Sequence, residues 1–231
     1  MRSILWSALA LAFVLLAHPS HADTKAPGFQ LQADGLRYSP SGTLAAADGA
    51  ALSDLLSSGP GFAVTGTIGL RQHWCLAARA SYFQSSGSGR FRFVDDVNTN
   101  GAPVGDGSGP FDIDRKLRVT AVMGLFQYRR ALGGKLELAL EGGAGVVSAR
   151  ERLVIHSATG EKASAVGVQM DPAWSAGLGL AWLAVAKANS DIVFSARWTG
   201  SLEETGALWT KGDSPGYLQT AIGLRYPHDT H

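Results

Sequence analysis

Asp171-Pro-Ala-Trp174-Ser-Ala-Gly-Leu178-Gly-Leu180-Ala-Trp182-Leu-Ala-Val185 alternates with a period of two. Trp174, Ala176, Leu178, Leu180 and Trp182 share one face, and the residues between them, Ser175, Gly177, Gly179 and Ala181, are all small. A strand rises about 3.3 Å per residue, so at a tilt of about 40° the two tryptophans stand roughly 20 Å apart along the axis. That is close to the ~25 Å apolar band of a transmembrane β-barrel. The segment reads as a membrane-crossing strand with a tryptophan at each rim. A soluble sandwich strand that buries both rings carries the same local pattern, so the rest of the chain must decide.

At the amino terminus Arg2 precedes an apolar run from Ile4 to Ala17, followed by Pro19 and the small-x-small sequence Ser20-His21-Ala22. This pattern predicts a secretory signal peptide over residues 1–22, cleaved after Ala22. The run is shorter than the ~20 residues a membrane-spanning helix needs. Residues 23–231 then form one exported β domain. No cysteine stands near the cleavage site to accept a lipid, and Cys75, the single cysteine, excludes an intramolecular disulfide. With 29 Gly, 17% charged residues and 20 Lys+Arg against 19 Asp+Glu, the chain has neither the composition of disorder nor the charge of a nucleic-acid binder.

Eight alternating stretches follow, each bounded by turn residues: Phe29–Tyr38, Phe62–Arg71, Cys75–Gln84, Lys116–Tyr128, Lys135–Ala149, Asp171–Val185, Ile192–Glu203 and Tyr217–Tyr226. In the second, Phe62, Val64, Gly66, Ile68 and Leu70 oppose Thr65, Thr67 and Arg71. In the third, Leu76, Ala78, Ala80 and Tyr82 oppose Arg79 and Ser81. In the fourth, Leu117, Val119, Ala121, Met123 and Leu125 oppose Arg118 and Thr120. In the fifth, Leu136, Leu138 and Leu140 oppose Glu137 and Glu141. The seventh sets Phe194, Ala196 and Trp198 against Ser195, Arg197 and Thr199, and the eighth sets Leu218, Thr220, Ile222, Leu224 and Tyr226 against Gln219 and Arg225.

The connections alternate in length. Those after the second, fourth and sixth stretches are short, while Ser39–Gly61, Ser85–Arg115, Arg150–Gly167 and Thr205–Gly216 are long. Short periplasmic turns and long external loops are the habit of an outer-membrane barrel with both termini in the periplasm. Trp74, Tyr128, Trp182 and Tyr226 gather at the short-turn ends as one interfacial girdle, with Trp174 and Trp198 toward the other.

In this arrangement the chain resembles the small eight-stranded outer-membrane barrels of Gram-negative bacteria, of the OmpX, OmpW and opacity-protein type. The resemblance spans residues 23–231 and lies in architecture. Leu224 and Tyr226 in the last strand are similar to the assembly signal of that class, although Pro227-His-Asp-Thr-His231 continues beyond the aromatic. It implies an all-β, antiparallel up-and-down barrel in the outer membrane, with lipid, lipopolysaccharide and the barrel-assembly machinery as partners. The resemblance also implies an extracellular ligand or host surface as a partner of the loops, and neither a cofactor nor nucleic acid is expected. The implied function is non-enzymatic, either surface interaction and envelope structure through external loops or a narrow small-solute conduit. A soluble lipocalin-like ligand-binding barrel and a lipid A-modifying hydrolase are the alternatives. The hydrolases of that kind carry a His-x-Ser pair on one face, whereas His156 and Ser157 are adjacent and fall on opposite faces.

The same parity sends Arg79, Arg118, Glu137, Glu141, Arg197 and Arg225 into the lumen. There the arginines outnumber the glutamates, and the excess must bond water, Gln219 or backbone carbonyls. Gly143, Gly145, Gly177 and Gly179 leave one wall bare, toward which long guanidinium side chains converge. In the loop after the third stretch, Asp96-Val-Asn98-Thr-Asn100-Gly101 matches the first half of a calcium loop, but position twelve is Gly107 rather than Glu, and a solvated turn accounts for the same residues. Arg90 and Arg92, interleaved with Phe91 and Phe93, prolong the third strand, and Ala45–Leu56 suits a short helix at the barrel mouth. Amino-terminal sequencing of the exported protein should begin at Asp23. A chain still starting at Met1 would contradict the signal-peptide reading.

Overall fold

The computed structural model describes residues 29–41, 57–71, 73–91, 111–156, 162–185, 190–201 and 216–226. These form eight strands: β1 (Phe29–Ser41), β2 (Gly59–Arg71), β3 (Trp74–Phe91), β4 (Phe111–Gly133), β5 (Leu136–His156), β6 (Lys162–Val185), β7 (Ser190–Ser201) and β8 (Gly216–Tyr226). Each pairs antiparallel with the next, and β1 pairs with β8, so the sheet closes on itself. Closure leaves no edge strand with unpaired backbone groups, the condition for a β-structure to exist in lipid.

The register can be followed round the ring from Leu31 through Gly66, Ala78, Gly124, Ala144, Trp174, Gly200 and Gly216. It returns to β1 at Ser41, ten residues beyond its start. For eight strands that stagger corresponds to a tilt of about 40° and an interior just wide enough for side chains to fill. The register irregularities at Gly69/Arg71, Ala131/Gly133 and Trp182/Val185 all fall beside short turns. At one of these, Gly133 and Gly134 take φ of 105° and 60°, values that side chains with a Cβ rarely adopt.

Two long connections are partly ladder. β5 and β6 stay paired as far as His156 and Lys162, and β3 and β4 as far as Phe91 and Phe111, so these hairpins stand well above the other strands. The Asp96/Asn98/Asn100 loop, the Ala45–Leu56 segment and residues 1–22 lie outside the described residues.

Even-numbered residues of β6 face outward, with Trp174, Leu178 and Trp182 exposed, while Ala173, Ser175 and Ala181 are buried. Phe62, Val64, Ile68 and Leu70 of β2 and Leu218, Ile222 and Leu224 of β8 complete the same apolar exterior. The apolar face is thus outside and the charged face inside, which removes the soluble barrel with an apolar cavity. One strand corrects the sequence reading. On β4 the odd positions Leu117, Val119, Ala121, Met123 and Leu125 point inward and are buried, so Arg118 and Thr120 point outward and are exposed. The inward side chains of β4 join two apolar clusters inside the barrel, one with Tyr38, Phe83 and Tyr217 and one with Ala77 and Ala173, and the outward face of β4 carries its own lipid-facing residues, Val122, Phe126 and Tyr128.

Arginine at Leu178, between the two tryptophans, should cost roughly 2–4 kcal/mol in urea unfolding of the refolded protein. Lys135→Arg at the β4–β5 turn should stay within about 0.5 kcal/mol. Equal tolerance at the two positions would mean that the faces are exchanged.

Candidate functional site

The lumen contains the densest set of buried charged groups among the described residues, stacked in levels. At the short-turn end Arg225 bridges two acids from different strands, Glu137 at 2.6 Å and Asp191 at 2.7 Å. Arg129 donates there to Gln30 and, at 2.9 Å, to Gln127, with a longer approach of 3.4 Å to Thr67. Gln127 in turn donates to Glu141 Oε2 at 3.0 Å, which links this level to the next.

The second level holds two ion pairs. Arg197 meets Glu141, and Arg79 meets Asp34 at 2.6 Å while donating to Thr65 at 3.1 Å. Gln32 donates to the other Asp34 oxygen at 2.7 Å. Two glycines make room for the carboxylates. A Cβ at Gly177 would stand 2.9 Å from Glu141 Oε1, and one at Gly223 would stand 2.0 Å from Asp34 Oδ1. Because each charge is buried, its desolvation is offset only by a close, hydrogen-bonded partner of opposite sign.

Toward the external end the lumen turns apolar. Tyr38 and Phe83 stack with centroids 3.9 Å apart, Tyr217 meets both edge-on at 5.2 and 5.1 Å, and Leu117 and Val119 pack against them. Above this layer Arg115 pairs with Glu151. Burial pushes the Glu151 carboxyl up and the Arg115 guanidinium down from their ordinary values, each shift opposed by the partner's charge.

Of the residues assigned to the lumen from sequence, Arg79, Glu137, Glu141, Arg197 and Arg225 lie inside and in ion pairs. Arg118 does not join them, being exposed on the outer wall. The expected excess of arginine is also corrected. Arg79, Arg129, Arg197 and Arg225 are matched in number by Asp34, Glu137, Glu141 and Asp191, because β1 and the start of β7 each supply an aspartate that the sequence reading passed over, although Arg225 takes two of the acids and Arg129 bonds the amides of Gln30 and Gln127. The bare wall is shared. The carboxylate of Glu141 lies over Gly177, whereas Met123 covers Gly145. Asp34 could have been found from parity, since it alternates with the outward residues Leu31 and Ala33 of β1.

The interface aromatics all face outward. Trp74 stacks on Phe126 and meets Tyr128 edge-on, both with centroids 4.8 Å apart. Trp182 and Tyr226 are exposed at the same end. At the other end the ring of Trp174 lies over Gly200 and that of Trp198 over Gly216, so each tryptophan covers a glycine of the adjacent strand. Among the described residues no group of three His, Cys, Asp or Glu is placed to hold a metal. His156 lies 3.5 Å from Asp114 on the exposed outer wall.

A closed eight-stranded ring, apolar outside and ion-paired inside, defines a transmembrane β-barrel of the bacterial outer membrane. No protein-family model and no curated protein matches the sequence. Among solved structures, the chain is similar to three bacterial surface and outer-membrane proteins. OprG of Pseudomonas aeruginosa is 16% identical with a TM-score of 0.49, over 88% of this chain and 96% of its own. Neisserial surface protein A is 14% identical at 0.46, over 87% and 98%, and the attachment invasion locus protein Ail of Yersinia pestis is 16% identical at 0.45, over 86% and 99%.

Glu141→Ala should lower stability by more than about 1 kcal/mol, the size of a net hydrogen bond, and by up to ~3–5 kcal/mol if Arg197 is left dry and unpaired. Adding Arg197→Met to that variant should recover part of the loss. Arg118→Ala should change the stability measured by urea unfolding by no more than about 0.5 kcal/mol. A Glu141→Ala midpoint unchanged at the same slope would contradict the ion-paired lumen.

Proposed function

We propose that this protein is a non-enzymatic surface barrel with a sealed lumen, whose specificity resides on its external side rather than in a transport path. The observation that carries this reading is the Tyr38–Phe83–Tyr217 layer, lying above two tiers of ion pairs that occupy an interior already narrow for eight strands. A solute crossing the barrel would have to displace an aromatic stack and separate buried ion pairs of opposite sign, and a fixed constriction of that kind favours structure over conduction. The tall β3–β4 and β5–β6 hairpins raise rigid ladder above the membrane, and external segments held on a rigid scaffold are where recognition residues concentrate.

Reconstitution in planar bilayers tests the reading. Wild-type protein should give no discrete conductance steps, whereas Tyr38→Ala/Phe83→Ala, which empties the aromatic layer, should increase leak. Stable unitary steps from the wild type would favour the conduit. Release of fatty acid from lipid A by the purified protein would overturn the non-enzymatic reading.

A further inference from the structure

The exterior of β4 and β5 carries a feature that the lumen does not explain. Two adjacent cross-strand rows read Gln84–Arg118–Arg150–Val168 and Ser86–Lys116–Arg152–Val166. Arg118 is therefore directly opposite Arg150, and Lys116 directly opposite Arg152, with all four side chains outward and exposed. Like charges facing each other across a ladder are destabilising, and a fold would ordinarily place an acid between them. Here, among the described residues, none of the four has a hydrogen-bond or ion-pair partner. An outward carboxylate, Asp114, stands one row above Lys116 and lies 3.5 Å from His156.

The height of the cluster narrows its ligand. Arg118 stands ten residues up β4 from the girdle residue Tyr128, roughly 25 Å along the axis at the barrel's tilt, which is the full thickness of the apolar band. The cations begin where lipid headgroups begin. On the next strand the same rows carry Val166 and Val168, with Met170 one row below, and these are 57%, 70% and 70% exposed. A soluble polyanion would neutralise the cations and leave that apolar strip in water, whereas a lipid can meet both. An open groove of about 430 Å³ between β3, β4 and β5, lined in part by Ser86, Ser88, Lys116 and Arg152 and at its upper side by Asp114, adds hydroxyl donors beside the charges. Guanidinium groups match phosphate oxygens in two-point hydrogen bonding, and clustered Lys and Arg at a membrane surface attract anionic headgroups.

We propose that Lys116, Arg118, Arg150 and Arg152 form a binding site on the outer wall for the phosphate groups of outer-leaflet glycolipid. The site rests on the outer-membrane reading of the barrel but is independent of whether the lumen conducts.

The test uses the refolded mature protein in phosphatidylcholine nanodiscs doped with diphosphorylated lipid A or with lipid A stripped of its phosphates, and measures lipid A retained per barrel. Wild type should retain the phosphorylated form at least about tenfold better, a modest part of what four interfacial cations can contribute. The variant K116Q/R118Q/R150Q/R152Q should lose that preference, and Arg37→Gln, an outward arginine on β1, should keep it. Heat-dependent gel mobility checks that each variant has folded. If the quadruple variant fails that check, Arg118→Gln and Arg150→Gln are read singly, each expected to lower the preference. Excess inorganic phosphate should not release the lipid, and full release would make this a free-anion site and overturn the lipid assignment. Equal retention of the two lipids by wild type, or an unaltered preference in the folded variants, would overturn the site. Conductance is not read in this assay, so failure of the sealed-lumen reading would be seen separately.

Discussion

The β1–β8 ladder is the interaction on which the rest of this structure depends. In a hydrocarbon medium an unpaired backbone N–H or C=O has no water to turn to, so the last strand must find the first. Once Ser41 pairs with Gly216 and Leu31 with Tyr226, the stagger, the tilt and the interior width follow together. From that point each residue has only two destinations, lipid or lumen, and parity assigns one of them.

That binary choice explains the inverted distribution of polarity. Tryptophan, leucine and phenylalanine are exposed because the surrounding solvent is itself apolar, and arginine is buried because the interior is lined by acids and amides. Long guanidinium side chains from β3, β7 and β8 can reach partners on strands not adjacent in the ladder, as Arg79 does to Asp34 of β1 and Arg225 to Glu137 of β5. Such pairs hold strands at a set distance across the lumen and so supplement the ladder. Glycine is the complement of this arrangement: Gly177 and Gly223 exist where a carboxylate needs the volume of a methyl group. Ion pairs of this sort are costly to break singly, which makes them better devices for specificity than for gross stability.

The external half obeys a different rule. Above the apolar band, outward residues meet headgroups or water, and charge returns to the outer wall at Lys116, Arg118, Arg150 and Arg152. The interior at a similar height is closed by Tyr38, Phe83 and Tyr217. Under the proposed reading of a sealed barrel, this basic outer wall and the two tall hairpins are the surfaces on which contacts would be made.

Period-two alternation, the spacing of Trp174 and Trp182, and the long and short connections were enough for the sequence by itself to determine eight strands, their antiparallel order and the lumen side of Arg79, Glu137, Glu141, Arg197 and Arg225. Each of these is local, since one strand's pattern or one turn's length contains it. β4 shows where local reading ends. Its odd face is the more apolar, and hydrophobicity alone therefore turned Leu117 and Met123 outward and Arg118 inward. Yet Tyr128, assigned to the girdle, has the parity of Arg118, so the two assignments on one strand were mutually exclusive. Only the register, Trp74 opposite Tyr128 and Gly145 opposite Met123, decides which face has apolar neighbours inside the barrel. The pairing of arginine with acid was likewise a tertiary matter. Asp34 and Arg79 are 45 residues apart, and what brings them together is the register of two ladders, β1 with β2 and β2 with β3, on a sheet curved enough for its first and third strands to meet inside, which no single strand encodes.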